Sequence, residues 1–304
     1  MSDHYPRVRI DRSVGKQQIL CIRESVSITF YMKRSHQEVV HQVLNALDVY
    51  RRAVGPQALT SYAHPYNETW DELDEKGWAY IRQHMLEEPA AYPWLCQSDS
   101  ETLGYEFNYN GLLLEIYEED EDPASQVSFF LPTEYLEEHG PGRVRELALE
   151  LAAVLPFNSG HAGLCFHFPD TILGATRRIR DLAFRYPGMD IPGARSSASS
   201  IGTRLDGVHW LNFLGPPVLG DLGGAAGLRT RLQSPGTTVQ ELDGERVVVT
   251  LGKWPEAGDT EQGHTLPAWR ELARVLEPWL YMSPCILDGF SEEDMRRWQR
   301  RFLD

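Results

Sequence analysis

The chain has 304 residues, of which 42% are hydrophobic and 24% are charged, so it is long enough to bury a sizeable core and has the composition of a globular protein. It carries 29 Lys and Arg against 44 Asp and Glu, and its formal net charge of -15 disfavours nucleic acid as a direct partner because phosphate backbones are repelled. Four scattered cysteines, the lack of a recognisable secretory signal and the lack of an apolar run of ~18 residues predict a cytoplasmic protein with reduced thiols and no membrane partner.

The first half of the chain predicts strands and helices in alternation. Residues 26–32 are rich in β-branched and aromatic side chains, which is typical of a strand. A helix is expected to follow Ser35, where Glu38 completes a capping box, and to end at Gly55. Further on, the pattern predicts a hairpin over 103–117 around Asn110-Gly111, a strand over 127–131, a helix over 144–154, a strand over 163–168 and a helix capped by Asp170.

The second half repeats this order of elements. It predicts a strand over 208–214, a glycine-rich helical turn, a hairpin over 238–251 with Asp243-Gly244 at its tip, a helix over 266–280 and a last helix capped by Ser291. We therefore expect an α+β fold with mixed or antiparallel sheets and packed helices, in two similar strand-helix-hairpin-helix halves. The small polar segment 195–200 is the candidate boundary between residues 1–195 and 196–304, which form two domains or one continuous domain.

An acidic segment stands out at residues 115–122, where six of eight residues are acids: Glu115, Glu118, Glu119, Asp120, Glu121 and Asp122. These acids do not alternate with turn glycines as they would in a Ca²⁺ loop, so the spacing does not indicate a metal site. Two interpretations stay open. The segment is either a solvated loop or a docking surface that occupies a cationic cleft of a protein partner.

The histidines and glycines indicate no catalytic chemistry. His161 and His167 are six residues apart on a predicted strand, a span of ~20 Å that one metal ion cannot bridge, so we expect core or turn roles for them and for Asp170. His209 lies in an apolar stretch without a neighbouring acid or nucleophile and is expected to be packed and hydrogen-bonded. No dinucleotide, phosphate-loop or nucleophile-elbow motif is present, so the sequence predicts no catalytic residue, no cofactor and no metal.

Five segments of the chain are distinctive as a set: LPTEYLEE (131–138), LPFNSGHAGL (155–164), FRYPGMDI (184–191), DGVHWLNFLGPPVLGDLGGAAG (206–227) and SPGTTVQELDGERVVVTLGKWPEAGDT (234–260). In sequence and in their order along the chain, they resemble the type VI secretion immunity family. The resemblance extends from about Ile28 to the C-terminus. It implies an immunity protein that binds and neutralises a cognate effector toxin. Because an immunity protein must be present where its toxin acts, the lack of a recognisable secretory signal predicts that this toxin acts in the cytoplasm.

The resemblance and the charge together suggest how the toxin is bound. A protein this acidic is expected to attract a toxin with a basic cleft, which makes residues 115–122 the predicted partner-binding residues. A competing interface is the aromatic stretch 57–100, with Trp70, Trp78 and Trp94. Two other functions are weighed, an enzyme that reverses the effect of the toxin and an adaptor that loads an effector onto the secretion machinery. Nothing in the sequence predicts the oligomeric state.

Overall fold

The computed structural model describes residues 4–14, 17–67, 69–97, 103–118, 121–169, 174–192 and 197–304. Within these residues the strands are β1 (Arg9–Val14), β2 (Gln17–Met32), β3 (Ser61–Ala63), β4 (Trp70–Glu72), β5 (Trp94–Cys96), β6 (Glu106–Asn110), β7 (Ser125–Pro132), β8 (Ser159–His167), β9 (Leu211–Leu214), β10 (Thr237–Asp243) and β11 (Arg246–Leu251). The helices are α1 (His36–Val54), α2 (Glu75–Glu87), α3 (Thr133–Val154), α4 (Ala175–Arg185), α5 (Val218–Asp221), α6 (Gly224–Arg231), α7 (Pro267–Leu276) and α8 (Glu292–Gln299). None of the helices in these ranges is both long enough and apolar enough to span a membrane.

All the strands join one sheet through antiparallel pairings, in the order β10-β11-β9-β8-β2-β7-β6-β5-β3-β4, with β1 paired to β2. The protein is therefore α+β, as the alternation of hairpins and helices predicts. The sheet runs without a break from strands before residue 195 to strands after it, because β8 pairs with β9. The proposed boundary partly overlaps residues 193–196, which lie outside the described ranges, and the internal repeat stays a prediction.

Strand β2 is the centre of the sheet because both of its faces are covered. Val26, Ile28 and Phe30 are fully buried on one face, and the small polar residues between them are buried on the other. On the apolar side, α3 packs across β2 and β7 and α1 packs against α3. Small Ser and Thr side chains on the other face leave room for polar groups, and Thr29 hydrogen-bonds Ser128 across the β2–β7 pair at 2.7 Å.

Several local predictions are confirmed with small changes in their ends. Helix α1 begins after Ser35 with the expected capping box and ends at Gly55, and α8 begins after Ser291 with a second capping box. The hairpin of β10 and β11 forms around residues 243–246, as Asp243-Gly244 predicts. The predicted helix over 266–280 is α7 followed by a short 3-10 turn. The predicted cap Asp170 lies outside the described residues, and α4 begins at Ala175.

The predicted hairpin over 103–117 is wrong. Strand β6 ends at Asn110 and pairs with β5 and β7, and the chain then enters a 3-10 turn at Leu114–Ile116. A type I′ turn needs positive φ at both central residues, and neither Asn110 nor Gly111 has it. Gly111 instead forms a backbone bridge with Ala91, so a long-range pairing replaces the local one.

The strand predicted over 208–214 is shorter than expected and lies inside the sheet. Strand β9 covers only Leu211–Leu214, which are all buried between β8 and β11. The preceding residues form a loop in which the His209 amide donates to Asn212 Oδ1 at 2.9 Å. This loop directs polar side chains toward β8, where a buried polar cluster forms.

Candidate functional site

The two ends of the acidic segment are attached to the body of the protein. Both carboxylate oxygens of Glu115 accept the hydroxyl of Ser35 at 2.9 Å, which places this acid at the N-terminus of α1. At the other end, Asp122 forms an ion pair with Lys33, and its carbonyl accepts the Gly202 amide at 2.7 Å. Of the six predicted partner-binding acids, these two therefore have structural contacts that hold the segment in place.

Two acids between these ends, Glu118 and Glu121, face solvent. Glu118 and Glu121 are exposed, and the Glu121 carboxylate accepts the backbone N–H of Glu118 at 3.1 Å. Glu119 and Asp120 lie outside the described residues. The structure thus places Glu118 and Glu121 where a partner has access to them, between two ends that are fixed.

An apolar side chain is exposed within the same segment. Ile116 is 73% exposed, the largest exposure of any large apolar residue in the described ranges. Beside it, burial together with the neighbouring Tyr92 and Glu121 raises the pKa of Tyr117, which places these three residues close together. Tyr92 is itself 52% exposed. We call Tyr92, Ile116, Glu118 and Glu121 the acidic–apolar surface.

This surface adjoins the aromatic stretch that the sequence offers as the competing interface. The described part of the chain has seven exposed large apolar side chains. Four of them lie in this stretch, Tyr66, Trp70, Leu86 and Tyr92, and Ile116 of the acidic–apolar surface is a fifth. Trp70 contacts Trp94 edge to face, with ring centroids 4.9 Å apart. Trp78 is covered by the guanidinium of Arg51, 3.5 Å from its ring centroid. Exposed apolar area of this kind, next to acids, is typical of a protein-binding surface.

The two histidines of β8, His161 and His167, have different surroundings. His167 is buried, hydrogen-bonds Glu106 at 2.9 Å and stacks on Phe130. His161 stacks on His209, with ring centroids 3.8 Å apart and planes 12° from parallel. The sequence expectation for His209 is confirmed, since it is buried and its Nε2 bonds the Asp206 carbonyl oxygen at 2.6 Å.

Four more ionisable groups surround this histidine pair. The Tyr31 hydroxyl donates to Asp206 Oδ2 at 2.6 Å, and the Arg301 guanidinium lies 3.4 Å from Asp190 Oδ1. Burial raises the pKa of Asp206 and lowers that of Arg301. Burial also lowers the pKa of both histidines to about 3, so the stacked rings are neutral at pH 7. A cavity of about 70 Å³, lined by Asp190, Asp206 and Arg301 among others, opens beside them.

Comparisons with known proteins decide the family. The family model described as TsiV, type VI immunity for VRR-NUC, matches residues 42–302. This chain belongs to that family. A solved structure of a Pseudomonas aeruginosa T6SS protein has the same fold, with a TM-score of 0.81 and 18% identity over 97% of this chain and 87% of that chain. A comparison with curated proteins finds no match.

Membership of the immunity family confirms the resemblance that the sequence motifs indicate. The motif residues themselves are mostly structural: 159–164 lie in β8, 211–214 form β9, and 237–251 form the β10–β11 hairpin. They therefore identify the fold without marking the surface that a partner contacts. Sequence reasoning located the acidic segment but missed the cluster of His161, Asp190 and His209, because its members come from three separate segments.

Proposed function

We propose that the protein neutralises a cognate VRR-NUC effector in the cytoplasm by binding it, without turnover. The observation that carries the proposal is the family match over residues 42–302. The net charge of -15 supports it, because an effector that acts on nucleic acid needs a basic cleft and such a cleft attracts an acidic protein. A stable complex of this kind buries about 1,600 Å² in total.

We further propose that the acidic–apolar surface is part of the contact. Fixing both ends of the segment lowers the entropy that binding must remove, which favours affinity. Glu118 and Glu121 supply charge for attraction at long range, and Ile116 and Tyr92 supply apolar area that a partner buries. The exposed side chains of α2 and of the loops around β4 extend this contact, so the two interfaces proposed from sequence become one.

The test compares two variants that each lose three negative charges. Glu118→Gln, Glu119→Gln and Glu121→Gln neutralise acids in the middle of the segment, including both acids of the acidic–apolar surface, and leave Glu115 and Asp122 in place. The control variant carries Glu245→Gln, Glu292→Gln and Glu293→Gln, which change exposed acids elsewhere.

The effector used is the cognate VRR-NUC protein, and association is followed by stopped-flow at low and high salt. We expect the segment variant to associate about three- to tenfold more slowly at low salt and to show a weaker salt dependence, because attraction between exposed charges acts mainly on the association rate. The control is expected to change much less. Equal rates for both variants would assign the attraction to the overall charge and reduce residues 115–122 to a solvated loop.

A further inference from the structure

The buried cluster joins three side chains of types that bind metal ions. His161 is on β8, Asp190 follows α4, and His209 lies in the loop before β9. One nitrogen of each ring and one carboxylate oxygen all lie within 4.8 Å of one another. Two imidazoles and one carboxylate are a ligand set that proteins use for Zn²⁺ and related divalent ions.

The surroundings favour a cation at this position. Asp190 and Asp206 bring two carboxylates to the cluster, and Arg301 brings one guanidinium. A divalent ion at this position would place positive charge beside these two carboxyl groups. Asp190 and Asp206 also line a cavity of about 70 Å³.

Hydrogen bonds fix the main chain of Asp190 and both the main chain and the ring of His209. The Asp190 amide donates to the Leu164 carbonyl and the Phe166 amide donates to the Asp190 carbonyl, each at 2.8 Å, so this residue is tied to β8. His209 is held by its own backbone contact with Asn212 and by the Asp206 carbonyl. No hydrogen bond of the His161 ring occurs among the described residues, although this side chain is only 6% exposed.

We propose that His161, Asp190 and His209 bind one divalent transition-metal ion, with Zn²⁺ as the representative. Zn²⁺ lies about 2.0–2.1 Å from a ligating nitrogen and in the plane of its ring, which puts tetrahedral ligand atoms about 3.4 Å apart. The two parallel rings must therefore tilt toward the ion as it binds. The site connects β8, the segment after α4, the loop before β9 and, through Arg301, the turn that follows α8. Its role is to stabilise this junction, and it runs against the sequence expectation of no metal.

The proposal is tested on the full chain after removal of bound metal with a chelator. Zn²⁺ binding is measured by titration calorimetry, and Co²⁺ is used as a spectroscopic probe because its visible absorption reports the ligands. We expect one ion per chain and a rise in the melting temperature of the protein on adding Zn²⁺. His161→Gln and His209→Gln are each expected to weaken binding at least tenfold and to abolish the melting-temperature rise.

His167→Gln is the matched control, since His167 is equally buried on the same strand but bonds Glu106 instead. It is expected to bind Zn²⁺ as the unmodified chain does. A second readout does not depend on the folding of any variant. In the NMR spectrum of the unmodified chain with Co²⁺ bound, we expect paramagnetically shifted signals of exchangeable imidazole protons from two histidines. No ion bound by the folded protein, no shifted imidazole signals, or an equal loss in the His167→Gln control would overturn the proposal.

Discussion

Substitution of Ile116 most clearly distinguishes an effect on effector binding from an effect on protein stability. A fully buried isoleucine side chain stabilises by about 1.5–3 kcal/mol relative to an exposed one. Because Ile116 is 73% exposed in the free protein, most of that gain is available to a partner that covers it. Ile116→Ala is therefore expected to weaken effector binding by about 1–2 kcal/mol, a roughly 5- to 30-fold rise in Kd. The free energy of unfolding should change by less than about 0.5 kcal/mol, since an exposed side chain contributes little to the core.

The assay is titration of the purified variant with the cognate effector, beside chemical denaturation of the variant alone. Ile286→Ala is the control, because Ile286 is also exposed, at 52%, but lies in the loop before α8. It is expected to leave Kd unchanged. If Ile116→Ala binds as tightly as Ile286→Ala, the acidic–apolar surface is not part of the contact. A large loss of stability in Ile116→Ala would contradict the exposure on which the reasoning depends.

Two further predictions concern a buried carboxylate of β2, Glu24, and a half-exposed carboxylate of α3, Glu134. The fully buried Glu24 carboxylate accepts hydrogen bonds from the Arg9 guanidinium at 2.8 Å and from the Val8 amide at 2.9 Å. Glu24→Ala should therefore lower the free energy of unfolding, measured by urea denaturation, by about 3–5 kcal/mol. A loss below about 1 kcal/mol would contradict the importance of these contacts for stability. Burial alone would raise the pKa of Glu134, but hydrogen bonds from Arg9 and Arg23 outweigh it and hold the pKa at about 2. The stabilising contribution of the ionised Glu134 is therefore complete above pH 4.5 and is lost as pH falls toward 2. Because the side chain is 52% exposed, we expect the free energies of unfolding of the unmodified protein and Glu134→Gln to differ by about 1 kcal/mol at pH 7 and to converge by pH 2. A difference that stays constant with pH would refute the assignment.

Local signals in the sequence predict those parts of the fold that local contacts decide. Helix α1 follows from Ser35, Glu38 and Gly55 because capping groups lie within a few residues of the backbone groups they satisfy. The Asp243-Gly244 hairpin forms for the same reason. Asn110-Gly111 carries an equally good turn signal, but β6 pairs with β5 and β7, and this outweighs a local preference of about 1 kcal/mol or less.

The single sheet and the buried cluster depend on contacts that no local pattern contains. Strand β2 pairs with β7 and β8, which lie about a hundred residues or more further along the chain, and such partners are chosen by packing of whole faces. In the same way, His161 meets His209 because β8 pairs with β9. The acidic segment could be found from the sequence, since six acids in eight residues are visible without any tertiary contact. The sequence could not predict that Glu115 is held by Ser35 and Asp122 by Lys33, because these contacts join distant parts of the chain.

The most direct test of the proposed function is inhibition of the cognate VRR-NUC effector by the full-length protein at increasing molar ratio. Neutralisation by binding predicts that effector activity falls in proportion to the protein added, reaches its minimum at a fixed stoichiometric ratio, and does not change with longer incubation. Complete loss of effector activity, or repair of its product, at a small fraction of that ratio and increasing with time would instead show turnover and contradict the proposal.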